Sequence, residues 1–470
     1  MSGIFGIVSK EDCIEDLFYG TDYNFHLGTV FGGMAVIGDE AKREIHSISS
    51  HSFRSRFEDF VRGTQGNSGI GVISDYEEQP VRMCSHLGQY SLVHVGKITN
   101  LENLAEKFRS KGGHFSEMTG NRVNPTELVG AIINQGKNYL EGLEILQNTI
   151  EGSSSVMVLT MDGVYVSRDK LGRTPLVIGK KQNARAATSE TCAFPNLGFS
   201  VEKFLGPGEI GIITENKYDM LKAQEDKMQI CSFLWVYYGF PASDYEGVNV
   251  EEMRNRSGAI HGKIDEKEKL KIDFVAGIPD SGTGHAIGYA NERRIPYKRP
   301  FVKYTPTWPR SFMPQVQDAR ELVARMKLIT IKSFIEGNRL LFCEDSIVRG
   351  TQLKDTINRL YDECNAKEVH MRPACPPLLF SCDYLNFSSS KSDMQLAARR
   401  AIEEIDGKGA DVYSYADESS EKYSRMVEKI RVNLRLSTLR YQKRRDMISA
   451  IGLSGEKLCT YCWDGCRSCK

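Results

Sequence analysis

The spacing of apolar and polar residues predicts two parts of the chain with different architectures. In the first part, short apolar runs at 69–74, 90–95, 155–160 and 164–168 are separated by Gly-containing turns. Helical spacing of apolar residues appears between them, for example at 101–109 and 127–134. This alternation is typical of mostly antiparallel sheets with helices packed against them.

A different rhythm begins near Cys231. Apolar strands at 274–278 and 340–343 alternate with helical stretches such as 352–363, which predicts βαβ units on a parallel sheet. The charged segment before this change suggests two domains, at 1–225 and 226–470. A charged tail with helical spacing of Leu, Met and Ile predicts helices on the surface of the second domain.

Length and charge agree with a two-domain protein of the ordinary soluble class. The chain has 470 residues, and its 61 Lys and Arg balance 61 Asp and Glu. This balance gives no reason to expect nucleic acid or a membrane surface as a partner. The N-terminal apolar run is too short for a signal peptide or a membrane span, so a cytoplasmic location is expected. In that reducing compartment the twelve cysteines favour thiolate metal ligation over disulfides.

The most informative stretch runs from an apolar strand into an acidic, hydroxyl-rich loop and then into a helix. Two adjacent carboxylates, Glu344 and Asp345, precede Ser346, and the loop ends at Gly350 and Thr351. Backbone N–H groups of such a loop, with the two hydroxyls, can surround a phosphate at a helix N-terminus. The carboxylates repel phosphate, and suit ribose hydroxyls and hydrated Mg²⁺ instead. A capped helix alone explains one acid and the serine, but not the whole order.

This segment resembles the phosphoribosyl pyrophosphate (PRPP) motif of type I phosphoribosyltransferases. The similarity is closest to the form Asp-Asp-Ser-Ile-Val-Arg-Gly-Thr of the amidophosphoribosyltransferases, with Glu344 in place of the first Asp. The resemblance implies that PRPP contacts the residues of the segment, which are Glu344, Asp345, Ser346, Ile347, Val348, Arg349, Gly350 and Thr351.

Two further segments match the same family in order and spacing. Residues 275–284 resemble its pyrophosphate loop, where small residues allow close approach of the backbone. The resemblance places Ser281 at the pyrophosphate, and places Mg²⁺ beside Ser281, Glu344 and Asp345.

The start of the family's flexible loop, which closes over PRPP, is matched at Lys303 and Tyr304. The match continues at 310–312 and 325–328. The intervening residues read Thr-Pro-Thr-Trp-Pro and depart from the usual loop, which leaves its closing geometry open.

Four of the cysteines fall in the last twelve residues, and their spacing alone suggests a zinc site; an inert tail is the plain alternative. The iron–sulfur class of amidophosphoribosyltransferases places one cysteine before a Tyr-rich segment, one after Pro-Pro and two in a C-terminal Cys-x-x-Cys. The resemblance therefore implies a [4Fe–4S] cluster rather than zinc. Its ligands would be Cys231, Cys382, Cys459 and Cys462. Cys466 and Cys469 are additional, and whether they join the metal site stays open.

The first half resembles class II glutamine amidotransferases, which use an N-terminal cysteine nucleophile. Ser2 stands at that position here. His26-Leu27-Gly28 replaces His-Arg-Gly, and residues 69–76 replace a run ending His-x-Arg-Tyr, so that the arginine that holds the glutamine carboxylate is missing.

The oxyanion and substrate positions also differ from the glutaminase pattern. His94-Val95-Gly96 replaces His-Asn-Gly, and residues 124–127 replace Ser-Asp-Ser-Glu. Loss of one oxyanion donor costs about 10²–10³ in rate. A domain with the glutaminase fold but without glutaminase activity is therefore expected. The family residues expected to shape that fold are kept at Arg168, Asp169, Gly172, Pro175, Leu176, Ser189, Glu190 and residues 206–209.

The resemblance implies an N-terminal Ntn-hydrolase-like αββα domain of the class II glutamine amidotransferase type, and then an α/β type I phosphoribosyltransferase domain. It implies formation of 5-phosphoribosylamine, the entry step of purine synthesis, from PRPP and ammonia. Purine nucleotide effectors and a homo-oligomer, dimer or tetramer, also follow from it. The alternatives are a non-catalytic regulatory relative that binds PRPP or nucleotides, and a phosphoribosyltransferase with another acceptor.

Overall fold

A computed structural model describes residues 2–119, 122–303, 328–385 and 393–466 of the chain. Across these residues, each helix is too short or too polar to cross a membrane. The predicted strands and helices named above are all found, with ends that differ by a few residues.

The N-terminal half is built on two antiparallel sheets. Its strands are β1 (Gly3–Ser9), β2 (Phe31–Ile37), β3 (Ala41–Ser47), β4 (Ser68–Ser74), β5 (Val81–Ser85), β6 (Gly88–Ile98), β7 (Met118–Thr119), β8 (Arg122–Val123), β9 (Gly152–Thr160), β10 (Gly163–Ser167), β11 (Val177–Lys181), β12 (Ala184–Thr188), β13 (Ser200–Phe204), β14 (Ile210–Ile213) and β15 (Tyr218–Lys222). One sheet has the order β13-β11-β12-β1-β4-β2-β3 and the other β15-β14-β10-β9-β6-β5.

Helices cover the outer faces of these sheets. They are α1 (Ile14–Asp22), α2 (Phe53–Arg62), α3 (Leu101–Ser110), α4 (Pro125–Ile133), α5 (Tyr139–Thr149) and α6 (Ala193–Asn196). Alternate residues of β1 divide between two cores, because side chains alternate across a strand. Ile4 packs between the sheets, against residues such as Met157 of β9, whereas Phe5 packs under α1 and α2. The layers are therefore αββα, as predicted.

The C-terminal half contains a parallel sheet with the order β19-β22-β23-β24. The strands of this sheet are β19 (Phe274–Gly277), β22 (Arg339–Glu344), β23 (Glu368–Pro373) and β24 (Thr438–Leu439). Three short pairs lie outside it: β16 (Ile230–Cys231) with β25 (Leu458–Cys459), β17 (Asp244–Tyr245) with β18 (Val248–Asn249), and β20 (Phe301–Lys303) with β21 (Leu328–Thr330). The helices are α7 (Val250–Lys267), α8 (Thr283–Arg293), α9 (Lys332–Ile335), α10 (Thr351–Asp362), α11 (Ala397–Asp406), α12 (Glu421–Asn433), α13 (Arg444–Ile451) and α14 (Tyr461–Asp464), with a π-helical turn at Leu234–Tyr238.

One hydrophobic core spans both halves of the chain. It joins inter-sheet residues such as Val95 to Trp235 and Tyr245 of the C-terminal half. Polar contacts reinforce it: Arg168, fully buried, forms an ion pair of 2.8 Å with Glu246, and the Tyr245 hydroxyl donates to Glu190 at 2.5 Å. The halves therefore share a buried interface with specific polar contacts.

Candidate functional site

Two loops meet where the parallel strands β19 and β22 end. Gly277 is in register with Cys343, so the chain leaves both strands at the same edge of the sheet. The Ile278 N–H donates to the Cys343 carbonyl at 3.0 Å. A Cβ on Gly282 would lie 2.1 Å from that same carbonyl oxygen, so only glycine permits this contact. In open α/β sheets this edge is where ligands bind.

The predicted carboxylates lie together at this edge and are both buried. Glu344 is 8% exposed and Asp345 is 6% exposed. The Ser281 hydroxyl donates to Glu344 Oε1 at 2.8 Å, and the Asp345 N–H donates to the same oxygen at 3.0 Å. Ser346 donates its hydroxyl to Asp345 Oδ2 at 2.5 Å. The structure thus brings the predicted residues of both loops into one cluster.

Burial and the neighbouring Asp345 charge raise the pKa of Glu344 well above its ordinary value. Desolvation disfavours a charged carboxylate, and a like charge beside it adds to the cost. A cation or a hydroxyl donor at this carboxylate would offset that cost. The geometry therefore suits Mg²⁺ and ribose hydroxyls, and two carboxylates with a serine are acceptable oxygen donors for this hard ion.

The loop after the carboxylates leads directly into helix α10. Gly350 has φ of 71°, a left-handed conformation that favours glycine, and Thr351 begins the helix. Ile347 is buried, whereas Arg349 is exposed. The Ala397 N–H donates to the Val348 carbonyl at 2.8 Å and holds the loop from outside. Backbone N–H groups at this helix N-terminus are suitably placed for a phosphate.

Lys303 lies at the rim of the site rather than inside it. Its Nζ forms an ion pair of 3.0 Å with Asp280 Oδ2 in the pyrophosphate-type loop, and both side chains are solvent-exposed. Tyr304, residues 305–312 and residues 325–327 lie outside the described residues.

The four predicted cysteine ligands line a single cavity on the C-terminal half. Cys231 of β16 is in register with Cys459 of β25, and Cys382 and Cys462 complete the group. A hydrogen bond from the Cys462 thiol lowers the pKa of Cys382 to about 7. Cys466 is exposed and does not line this cavity, and Cys469 lies outside the described residues.

In the described part of the chain, no group of three or more His, Cys, Asp and Glu side chains is placed to hold a metal ion. A single zinc ion needs all its ligands at about 2.3 Å from one centre. In a [4Fe–4S] cluster each thiolate binds a different iron atom, so its four sulfurs stand apart around a common cavity.

At the position of the expected glutaminase nucleophile, Ser2 is buried and its hydroxyl donates to Ser74 Oγ at 3.3 Å. Asp75 occupies the position before Tyr76, where the family run has arginine, and accepts from the backbone and hydroxyl of Thr29 at 2.7 and 3.1 Å. Asn124 caps helix α4 by accepting from a backbone N–H. These side chains are occupied within the protein.

A buried hydrogen-bond network surrounds His94, where the oxyanion donor was expected to be missing. Gln79 donates to Glu77 at 2.7 Å and accepts from the His94 N–H at 2.7 Å, and His94 Nδ1 lies 2.9 Å from Thr126 Oγ1. Val95 follows His94, so a side-chain amide is missing there. Burial raises the pKa of Glu77 to about 7 and lowers the pKa of His94 to about 4.

Sequence reasoning missed two basic residues beside the cysteines, Lys97 and Arg173. Lys97 donates to the Cys382 carbonyl at 3.2 Å, and Arg173 lines the cysteine cavity. Both belong to the N-terminal half. The sequence offered one indication. Arg173 lies within the family-like segment from Arg168 to Leu176, but it is not one of the residues that match the family there.

Known proteins match both halves of the chain. Residues 69–196 match a family model described as a glutamine amidotransferase domain. The amidophosphoribosyltransferase of Archaeoglobus fulgidus is 30% identical over 328 residues, 70% of each chain, and that of Methanocaldococcus jannaschii is 29% identical over 436 residues, 86% of this chain and 90% of the relative.

A solved structure agrees over almost the whole chain. It is the glutamine PRPP amidotransferase from Bacillus subtilis, complexed with ADP and GMP. The match has a TM-score of 0.83 and 26% identity, and covers 99% of this chain and 96% of the other. The fold therefore combines an Ntn-type glutamine amidotransferase domain with a phosphoribosyltransferase domain. The chain belongs to the amidophosphoribosyltransferase family.

Proposed function

We propose that the second domain, residues 226–470, binds PRPP with Mg²⁺ and converts it with ammonia into 5-phosphoribosylamine and pyrophosphate. The cluster of Ser281, Glu344 and Asp345 carries this proposal, because it joins two buried carboxylates to a phosphate-type loop at one sheet edge. This combination suits a ligand that carries hydroxyls, phosphate and a bound cation.

In this reaction the ammonia nitrogen forms a bond to C1 of the ribose while the bond from C1 to the pyrophosphate oxygen breaks. The electron pair of that bond leaves with pyrophosphate, and the nitrogen loses a proton. Glu344 and Asp345 would orient the ribose through its hydroxyls and hold the metal. The backbone from Ser346 to Thr351 would bind the 5-phosphate, and Ser281 would face the pyrophosphate. Bound Mg²⁺ would neutralise charge on the leaving pyrophosphate.

We propose that the first domain, residues 1–225, does not hydrolyse glutamine. Asp75 precedes Tyr76 in place of the arginine that binds the glutamine carboxylate, and a carboxylate repels a carboxylate. Val95 supplies no oxyanion donor, and Asn124 is committed to capping a helix. Ammonia would then come from solution or from a partner protein.

We propose that Cys231, Cys382, Cys459 and Cys462 hold a [4Fe–4S] cluster. The shared cavity supports this, because all four thiols line it. The cluster would tie the C-terminal segment around α14 to β16 and act as a structural centre. Purine nucleotides are proposed effectors, because the Bacillus subtilis enzyme was solved with ADP and GMP. A homo-oligomer in the cytoplasm completes the proposal.

The test is pyrophosphate release from PRPP and Mg²⁺ by protein purified without oxygen, with ammonium chloride or glutamine as nitrogen source. We expect release with ammonium and none with glutamine. The variant Asp345→Asn is the inactive control, because it keeps the size of the side chain but removes one metal-binding charge. Tight PRPP binding without turnover would replace this proposal by the non-catalytic regulatory relative. Pyrophosphate release that requires another acceptor would replace it by a phosphoribosyltransferase that uses that acceptor.

A further inference from the structure

Two cations from the N-terminal half lie beside the cysteines of the C-terminal half. Lys97 Nζ donates to the Cys382 carbonyl oxygen at 3.2 Å. Arg173 lines the cavity with the cysteines, and its guanidinium carbon lies 3.6 Å above the ring of Tyr384. Lys97 and Arg173 thus bring positive charge from the N-terminal half to the cysteines of the C-terminal half.

Arg173 contacts one cysteine directly and shares the cavity with all four. Its backbone carbonyl accepts from the Cys231 N–H at 3.2 Å, and its side chain lines the same cavity as Cys459. The residue is only 4% exposed, and its Nε has no hydrogen-bond partner among the described residues. A buried donor with positive charge is costly unless an acceptor or an anion faces it.

Carboxylates do not provide the missing charge. Within the described ranges neither Lys97 nor Arg173 forms an ion pair with an Asp or Glu. Asp169, the nearest acid along the chain to Arg173, instead accepts from the Thr174 N–H at 3.1 Å. Among the residues that line this cavity, the four thiols are the acids that metal binding would deprotonate. Once deprotonated around a [4Fe–4S] core, they give a centre with a net charge of roughly −2.

We propose that Lys97 and Arg173 are the counter-charges of the iron–sulfur centre, so that the N-terminal half serves as its electrostatic partner rather than as a glutaminase. This inference rests on the proposed cluster. It gives the first domain a role that its altered glutaminase site does not supply. It also makes the docking of the two halves depend on the charge of the metal centre, because both cations lie across the interface.

Arg173 and Tyr384 also form a wall between the cysteine cavity and a larger one of about 450 Å³. The larger cavity is lined by Ser153 and Ser154, whose buried hydroxyls lack partners among the described residues. Removal of the Arg173 side chain would join the two cavities and admit water to the cluster. Net charge, hydrogen bonds to sulfur and solvent exposure are the factors that set the potential of such clusters.

The test compares Arg173→Gln and Lys97→Gln with Arg173→Lys in protein purified without oxygen. Loss of a positive charge disfavours the reduced cluster, so each Gln variant should lower its one-electron reduction equilibrium constant by about tenfold, or roughly 59 mV. Each should also lose the visible absorbance of the cluster several-fold faster in air. The Lys variant should fall between the wild type and Arg173→Gln, because it keeps the charge but not the planar donor set.

The matched control is Lys170→Gln, which removes a positive charge from the lining of the larger cavity without touching a cysteine. Potentials and bleaching rates of both Gln variants that equal those of this control would overturn the inference. If Arg173→Gln does not fold, Lys97→Gln decides alone. Wild-type protein without bound iron and sulfide would instead refute the cluster itself, so the two failures can be told apart.

Discussion

Ser281 donates a hydrogen bond of 2.8 Å to Glu344, and this bond joins the loops that follow two adjacent parallel strands. The Asp345 N–H donates to the same carboxylate oxygen. The acid is thus oriented before any ligand binds, while burial and the Asp345 charge hold its pKa well above the ordinary range. A site of this kind is costly to the free protein, and the cost points to a ligand that offsets it.

Glu344→Gln should reduce pyrophosphate release and stabilise the ligand-free protein. The amide keeps the shape of the side chain but cannot bind a cation as a charged group. Hydrogen bonds to charged groups contribute about 1.5–3 kcal/mol, so kcat/KM for PRPP should fall about 10- to 100-fold. Because the folded-state pKa is raised, ionisation at neutral pH destabilises the wild type, and the variant should unfold at a higher temperature.

The control for this prediction is Asp355→Asn, an exposed acid further along helix α10. It should change neither kcat/KM nor the unfolding temperature measurably. Equal activity of Glu344→Gln and the wild type would show that this carboxylate takes no part in PRPP binding.

Ser2→Cys should not restore glutamine hydrolysis. The substitution returns the usual nucleophile, but Asp75 still occupies the arginine position and Val95 still leaves the oxyanion donor missing. Each missing donor costs about 10²–10³ in rate. Glutamate release should therefore stay at background in an assay where the Bacillus subtilis enzyme is active. Sustained release by the variant would mean that only the nucleophile had been lost.

Cys382→Ser should prevent assembly of the cluster, whereas Cys466→Ser should not. Cys382 lines the shared cavity and accepts from the Leu385 N–H at 3.2 Å, so a hydroxyl there fits but binds iron poorly. Cys466 lies outside the cavity and is exposed. Iron and sulfide analyses should give about four of each per chain for the wild type and Cys466→Ser. Loss of iron in Cys466→Ser would assign that thiol to the centre.

The phosphate-type loop could be found in the sequence because its signal is local. An apolar strand, two acids and a glycine with positive φ follow one another within a short stretch, and each has a physical reason to be there. The start of α4 also has a local sequence signal, because Asn124 and Pro125 form a typical helix cap. The spacing of apolar residues alone predicts a start at Glu127, two residues later than the observed one.

Contacts across the interface between the halves left no such signal. Lys97 lies on a strand and Arg173 in a loop, and neither shows a spacing that points to the cysteines. The bond from Tyr245 to Glu190 likewise depends on how the two halves pack. Hydrophobic periodicity predicts elements within each half, but the partners of a buried polar group are fixed only by the tertiary fold.

Glu77→Gln should stabilise the protein at neutral pH and have little effect in acid. Burial raises the folded-state pKa of Glu77 to about 7, above its ordinary value of 4.5, so the folded protein holds a proton that the unfolded chain releases between these values. Stability from this group is fully present below the lower value and is lost as the pH rises to about 7.

The amide at position 77 can still accept from Gln79, so the advantage of Glu77→Gln should grow from near zero at about pH 4.5 to roughly 3 kcal/mol at about pH 8. His94 has the opposite dependence, because its pKa of about 4 makes stability fall as the pH drops below 6.5. Its Nδ1 lies 3.7 Å from Glu77 Oε1, so the prediction is tested above pH 6.5, where His94 is neutral in both proteins. Urea unfolding at several pH values measures the difference. Glu78→Gln, an exposed neighbour, should show no such trend. A constant difference between Glu77→Gln and the wild type across this range would mean that the pKa of Glu77 is the same in the folded and unfolded protein, and that the buried network tolerates its charge.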